Sequence, residues 1–131
     1  MLPGFRQRVG VSLTMPDHHK IDYVEFPCND FRSSKEFFTQ VFGWKFTDYG
    51  PTYTAFSGSG LEGGFYACDL VSRADSGAAL VVLFSVDLEA TQRQVERAGG
   101  SIVKQIFSFP GGRRFHFLEP SGNELAVWSD K

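Results

Sequence analysis

The chain has 131 residues, a formal net charge of −2, 42% hydrophobic and 21% charged residues, which suits one globular domain with one core and excludes a disordered chain. Its slight acidity excludes a nucleic-acid partner, because phosphate binding draws on clustered Lys and Arg. No continuous apolar run is long enough to span a membrane. The 14 phenylalanines can fill a core without crosslinks. Cys28 and Cys68 are therefore expected as reduced thiols in a cytoplasmic protein with no secretory segment.

Residues 1–19 carry no strand or helix pattern and are expected to form an N-terminal arm, with Met15 as an alternative start. Residues 21–28 are rich in β-branched and aromatic side chains and predict a strand. Asp30 follows as a helix cap, apolar residues recur at helical spacing, and Gly43 ends the pattern. Short strands are predicted at residues 44–49, 52–57 and 64–68, separated by Gly50-Pro51 and Gly58-Ser59-Gly60. Residues 69–79 read as a linker. The second half repeats the first: residues 87–103 match residues 30–46, with Asp87 placed 57 residues after Asp30. A strand at 80–86, a helix capped by Asp87 and ended by Gly100, and strands at 101–107, 114–118 and 124–129 complete the copy. The prediction is an α+β domain over residues 20–131, built from two tandem βαβββ modules at 20–68 and 80–129.

Several pieces carry a resemblance: Tyr23-Val24-Glu25-Phe26-Pro27 leading to Asp30, Phe42-Gly43-Trp44, Gly63-Gly64, Ala98-Gly99-Gly100, and Glu119-Pro120-Ser121-Gly122-Asn123-Glu124-Leu125. In that order they resemble the vicinal-oxygen-chelate superfamily of glyoxalases, bleomycin-resistance proteins and extradiol dioxygenases, in particular its predicted enzymes related to lactoylglutathione lyase. The usual Asp-Pro before the last turn is here Glu119-Pro120. The resemblance implies that the eight strands form an open cup that binds small molecules, and that the protein is a homodimer.

It also implies where a divalent ion would be held in metal-dependent members: on the first, fourth, fifth and eighth strands. The matching positions are Tyr23, the vicinity of Gly63 with Glu62 nearby, Val81 and Ala126. Aliphatic side chains donate nothing and a phenol is a poor ligand for such ions. No metal or other cofactor is expected.

Strand alternation separates the two faces. Phe115, Phe117, Leu125 and Val127 share an apolar parity suited to a helix. Arg114, His116, Leu118, Glu124, Ala126 and Trp128 take the other parity and are expected to line the cup, with Tyr23 and Glu25 from the first strand. In the fifth strand Val81, Leu83 and Ser85 are expected inward, and Val82, Phe84 and Val86 under the helix. The candidate catalytic groups are Glu25 and His116. Tyr23, Leu83, Arg114, Glu124 and Trp128 are candidate ligand contacts, Arg114 holding an anionic group. Glu25 paired with Arg114 as a structural ion pair is an equal alternative. Three functions stay open: a metal-free lyase or isomerase, a drug-sequestering binder without catalysis, and a metal-dependent enzyme with atypical ligands.

Overall fold

The computed structural model describes residues 15–131. Of the arm expected over residues 1–19, residues 1–14 lie outside the described ones. The first module is β1 (Tyr23–Cys28), α1 (Phe31–Phe42), β2 (Lys45–Asp48), β3 (Tyr53–Ser57) and β4 (Glu62–Ala67). After a single 3-10 turn at Ala74–Ser76 come β5 (Val81–Phe84), α2 (Leu88–Arg97), β6 (Ser101–Phe109), β7 (Gly112–Leu118) and β8 (Glu124–Ser129). The expected order of two βαβββ modules is the order observed.

The internal repeat has a physical counterpart at each helix start. Asp30 accepts from the Ser33 N–H and Asp87 from the Ala90 N–H, both at 3.1 Å, satisfying donors that have no intrahelical partner. Gly43 closes α1 in the left-handed conformation at φ 73°. The second exit differs from expectation: Gly99, at φ 102°, is left-handed and Gly100 is not. Packing requires glycine at position 100, since a Cβ there would lie 2.7 Å from Val95 Cγ1 and 3.0 Å from Phe37 Cε1.

Each module forms a four-stranded sheet, in the orders β1-β4-β3-β2 and β5-β8-β7-β6. β1 pairs with β4 and β5 with β8 in parallel, the other pairs being antiparallel. Helix α1 packs on both sheets. Phe38 lies 5.6 Å from Phe65 of β4, while Phe37 and Phe42 lie 5.7 and 6.0 Å from Phe117 of β7. Trp44 continues the layer, stacked 4.4 Å from Phe38 and 4.5 Å from Phe56. Phe26, Phe56 and Phe65 of the first sheet thus share one core with Phe115, Phe117, Leu125 and Val127 of the second. Truncating such a ring costs about 3–5 kcal/mol. With both apolar faces turned to this layer, the other face of each sheet points away from it, on opposite sides of the chain.

The fifth strand corrects one expectation. Val81 and Leu83 pair in register with Leu125 and Val127, and all four pack on the core. Val82 and Phe84 pair with Ala126 and Trp128 and share their outer face. Leu83 therefore faces the core side, against which it packs, while also lining a cavity beside the first strand, because directly paired residues point to the same side of a sheet.

A buried polar network ties the β7–β8 turn to the other module. Glu119 accepts from Ser34 Oγ at 2.6 Å, from the Ser121 N–H at 3.0 Å, and from Asn123 Nδ2 at 2.7 Å. Asn123 Nδ2 also donates to the Pro27 carbonyl at 2.7 Å, and Asn29 Nδ2 to the Ser121 carbonyl at 2.9 Å. Burial pushes the Glu119 carboxyl above its ordinary pKa, against these hydrogen bonds. A carboxyl whose folded pKa exceeds its unfolded value stabilises most below the unfolded pKa, and the contribution is lost as pH rises through the folded pKa. Relative to the non-titrating Glu119→Gln variant, the wild type is therefore expected to lose stability from about pH 4 upward. Glu119→Ala, which removes the acceptor of the buried Ser121 and Asn123 N–H groups and of the Ser34 and Asn123 side chains, is expected to cost about 1–3 kcal/mol at all pH values. Urea midpoints measured between acid and neutral pH check both.

Candidate functional site

The sequence-predicted residues form two clusters, one on the outer face of each sheet. On the first sheet the Tyr23 and Tyr53 hydroxyls are 2.7 Å apart, and Tyr53 donates to Glu25 Oε2 at 3.0 Å. The reach from β3 to β1 passes over β4, where Gly64 sits between Glu25 and Ala55 in register. A Cβ at position 64 would come within 2.1 Å of Tyr53 Oη, so the absent side chain is what lets the phenol cross. Burial, then hydrogen bonding to Tyr23 and Glu25, drives the Tyr53 pKa far up, and burial also raises that of Tyr23.

On the second sheet His116 Nδ1 lies 2.9 Å from Glu124 Oε2. Both side chains are buried, at 3% and 6% exposure for the residues. The Ala74 N–H donates to Glu124 Oε1 at 3.1 Å, and Arg73 Nε lies 3.9 Å from that oxygen. Burial opposes charge on Glu124, but the bonds from His116 and Ala74 and the nearby Arg73 hold its pKa below the usual carboxylate range. His116 Nε2 and Arg114 Nε are buried with no hydrogen-bond partner among the described residues. Orphaned buried polar atoms cost about 1–3 kcal/mol each and are retained where a ligand or a reaction needs them.

Aromatic rings frame these groups. The Arg114 guanidinium lies 5.4 Å from the Phe107 ring centre and 5.6 Å from that of Phe109, and Phe107 lies 5.8 Å from the His116 ring. Trp128 extends the strip between Phe109 at 6.3 Å and Phe84 at 5.1 Å. Such a strip can stack a flat ligand and set a cation on its edge.

Tyr23 and Glu25 are thus brought together, and so are Arg114, His116, Glu124 and Trp128. One chain does not join Glu25 to His116, nor Glu25 to Arg114: the alternative ion pair gives way to a Tyr53–Glu25 bond and an arginine held over phenylalanines. Tyr53, Phe107 and Phe109 were missed. The only signal for Tyr53 was Gly64 at the matching register; for the phenylalanines, the strand continues to residue 109, with bulges between Ile102 and Phe107 that shift its alternation.

The Glyoxalase/Bleomycin resistance protein/Dioxygenase superfamily profile matches residues 20–127, and the chain belongs to that superfamily. Solved structures share its fold. A glyoxalase-related enzyme from Fulvimarina pelagi is 13% identical, with a TM-score of 0.70 over 85% of this chain and 88% of its own. A lactoylglutathione lyase from Agrobacterium tumefaciens is 16% identical, with a TM-score of 0.64 over 85% and 93%. An antibiotic-binding protein from Streptomyces sp. CB03234 is 17% identical, with a TM-score of 0.63 over 88% and 98%. No curated protein matches the sequence.

The divalent ion implied for metal-dependent members of the superfamily does not fit the donor set here. With the fifth strand's face corrected, the outer-face residues are Tyr23, Glu62, Val82 and Ala126, and the last two are direct register partners. Among the described residues no three His, Cys, Asp or Glu side chains cluster closely enough to share an ion.

The phenol cluster yields a test. The chain has four tyrosines. In an alkaline absorbance titration Tyr53 is expected to ionise only as the protein unfolds, and Tyr53→Phe is expected to remove one tyrosinate from that unfolding-linked step. The substitution should also lower stability by about 1 kcal/mol, the usual worth of a lost hydrogen bond. A Tyr53 that titrates freely in the folded protein contradicts the cluster.

Proposed function

We propose that this protein binds a small organic molecule in a glyoxalase-type cup without the superfamily's divalent ion, and acts on it as a lyase or isomerase through proton transfer by His116 and Glu25. The observation that carries this reading is the juxtaposition on one sheet face. Ala126 stands at an ion-ligand position with the aliphatic Val82 opposite it in register, while a histidine bonded to Glu124 stands beside Arg114 with a nitrogen that has no partner among the described residues. The unit that carries the function is the domain at residues 20–131, with residues 1–19 as an appended arm. Among the described residues no helix is long and apolar enough to cross a membrane, and we place the protein in the cytoplasm.

The cup is completed by a second copy. Among the described residues β1 and β5 each end a sheet with an edge that no strand pairs, and a cavity of about 680 Å³ opens between them, lined by Ile21, Tyr23, Val24, Val82 and Phe84 among others. Ile21, Val82 and Phe84 are exposed there. Open edges flanked by large apolar side chains call for cover. A two-fold partner that lays its own edges against these brings the Tyr23–Glu25 face of one chain toward the His116 face of the other.

The aromatic strip from Phe84 to Phe107 favours a second reading, a binder without chemistry. The antibiotic-binding neighbour has the same fold at 17% identity.

Three measurements decide among these. Light scattering is expected to give a dimer for the wild type and a monomer for Val82→Lys/Phe84→Lys. An anionic aromatic dye, anilinonaphthalene sulfonate, is expected to bind EDTA-treated protein as well as untreated protein. Arg114→Met is expected to weaken it about tenfold, equivalent to about 1.4 kcal/mol, with an unchanged circular dichroism spectrum. Binding that requires added zinc, manganese or nickel removes the metal-free reading, and a monomeric wild type removes the shared cup.

A further inference from the structure

We infer that His116 is the general base of the second sheet's outer face, acting through Nε2, that Glu124 is its positioning residue, and that the ligand class is an enolisable carbonyl compound whose oxygen is held by Arg114. This deepens the metal-free reading of the same face and rests on it.

An ionised carboxylate only accepts hydrogen bonds. Glu124 takes one from the Ala74 N–H on Oε1 and faces His116 Nδ1 at 2.9 Å through Oε2. Nδ1 therefore carries a hydrogen, and the neutral ring bears its lone pair on Nε2, across the imidazole from Glu124. That nitrogen is buried and has no partner among the described residues. A ligand seated against it must offer a proton, and an anion offers none.

The charges around the ring come from every neighbouring strand. Glu124 stands on β8, Arg114 on β7, Lys104 on β6 as the register partner of His116, and Arg73 beside Glu124 on the linker. β5 contributes the apolar Val82 opposite Ala126. Asp75 lines the same cavity as Arg73, Lys104 and Glu124, so three cations face two carboxylates, a balance that favours a ligand that becomes negative during the reaction. Arg114 and His116 are two residues apart on one strand face, about 7 Å along the strand, and Phe107 lies against both. An acidic carbon and its carbonyl oxygen span such a gap.

The step balances without a further reactant. Nε2 takes a proton from the carbon next to the carbonyl; the C–H pair becomes the new C=C bond and the carbonyl π pair moves to oxygen. The enolate oxygen rests on Arg114, and the imidazolium is balanced by Glu124. Return of the proton to another carbon isomerises the ligand, and expulsion of a β-substituent eliminates it.

Two measurements on the full chain test this. In protein labelled with nitrogen-15 on histidine, the neutral His116 ring is expected to carry its hydrogen on Nδ1 and to leave Nε2 bare; the reverse tautomer overturns the assignment, whatever any variant does. In D2O the wild type is expected to speed exchange of the acetophenone methyl protons at least tenfold over His116→Gln. In Glu124→Gln the active limb of the pH profile is expected to move to lower pH with a lower plateau, since the imidazolium loses its counter-charge, and Glu124→Asp should restore it in part. Exchange no faster with wild type than with His116→Gln overturns the proposal. Displacement of anilinonaphthalene sulfonate by acetophenone then separates the failures: displacement without exchange removes only the base, and neither removes the ligand site as well.

Discussion

The simultaneous packing of α1 on both sheets is the constraint from which the other features follow. Phe38 commits the helix to β4, and Phe37 and Phe42 commit it to β7. A helix held from two sides forces the apolar faces of both sheets inward. The polar chemistry of β1, β7 and β8 is thereby displaced to outer faces. The same arrangement leaves β1 and β5 as unpaired edges at the mouth of the core. Function at those faces is then a matter of what each sheet assembles alone and what a neighbour adds. The Glu119 network reinforces the clamp by anchoring the β7–β8 turn to Ser34 on α1 and to the carbonyl of Pro27 on β1.

Much of this frame was legible in the residues. The two Asp caps, the 57-residue repeat and the glycine exit of the first helix are local signals set by backbone geometry, and local signals survive translation into structure. The alternation of Arg114 to Leu118 and of Glu124 to Trp128 was equally clear, because one face of each strand is apolar and the other mixed. Val81-Val82-Leu83-Phe84 offers no such contrast. Both of its faces are apolar, one for the core and one for the aromatic strip, so its parity rested on the register with β8 and was assigned the wrong way.

The site was less legible than the fold because its partners come from different strands and its empty spaces matter. Tyr53 reads as one apolar residue in a short strand two places from β1, and its role depends on Gly64, the register partner of Glu25 on the strand between them. Arg114 looked like a salt-bridge partner for Glu25, since opposite charges in a presumed common cup attract. The helix layer puts them on different sheets, and the guanidinium instead lies over Phe107 and Phe109.

On the proposed metal-free reading, the eighth strand would carry organic acid–base chemistry without a change of backbone. Ala126 is fully buried, with Val82 and His116 as its neighbours in register on either side. A carboxylate there would lie between them on the outer face. The acid present on that face is Glu124, two residues earlier and about 7 Å along the strand. From that place it meets the Ala74 N–H, Arg73 and His116 Nδ1. Those contacts keep it ionised, and its charge goes to fixing an imidazole. A two-residue step preserves the face while exchanging the carboxylate's partner, so the strand alternation that builds the fold is untouched by the change in chemistry.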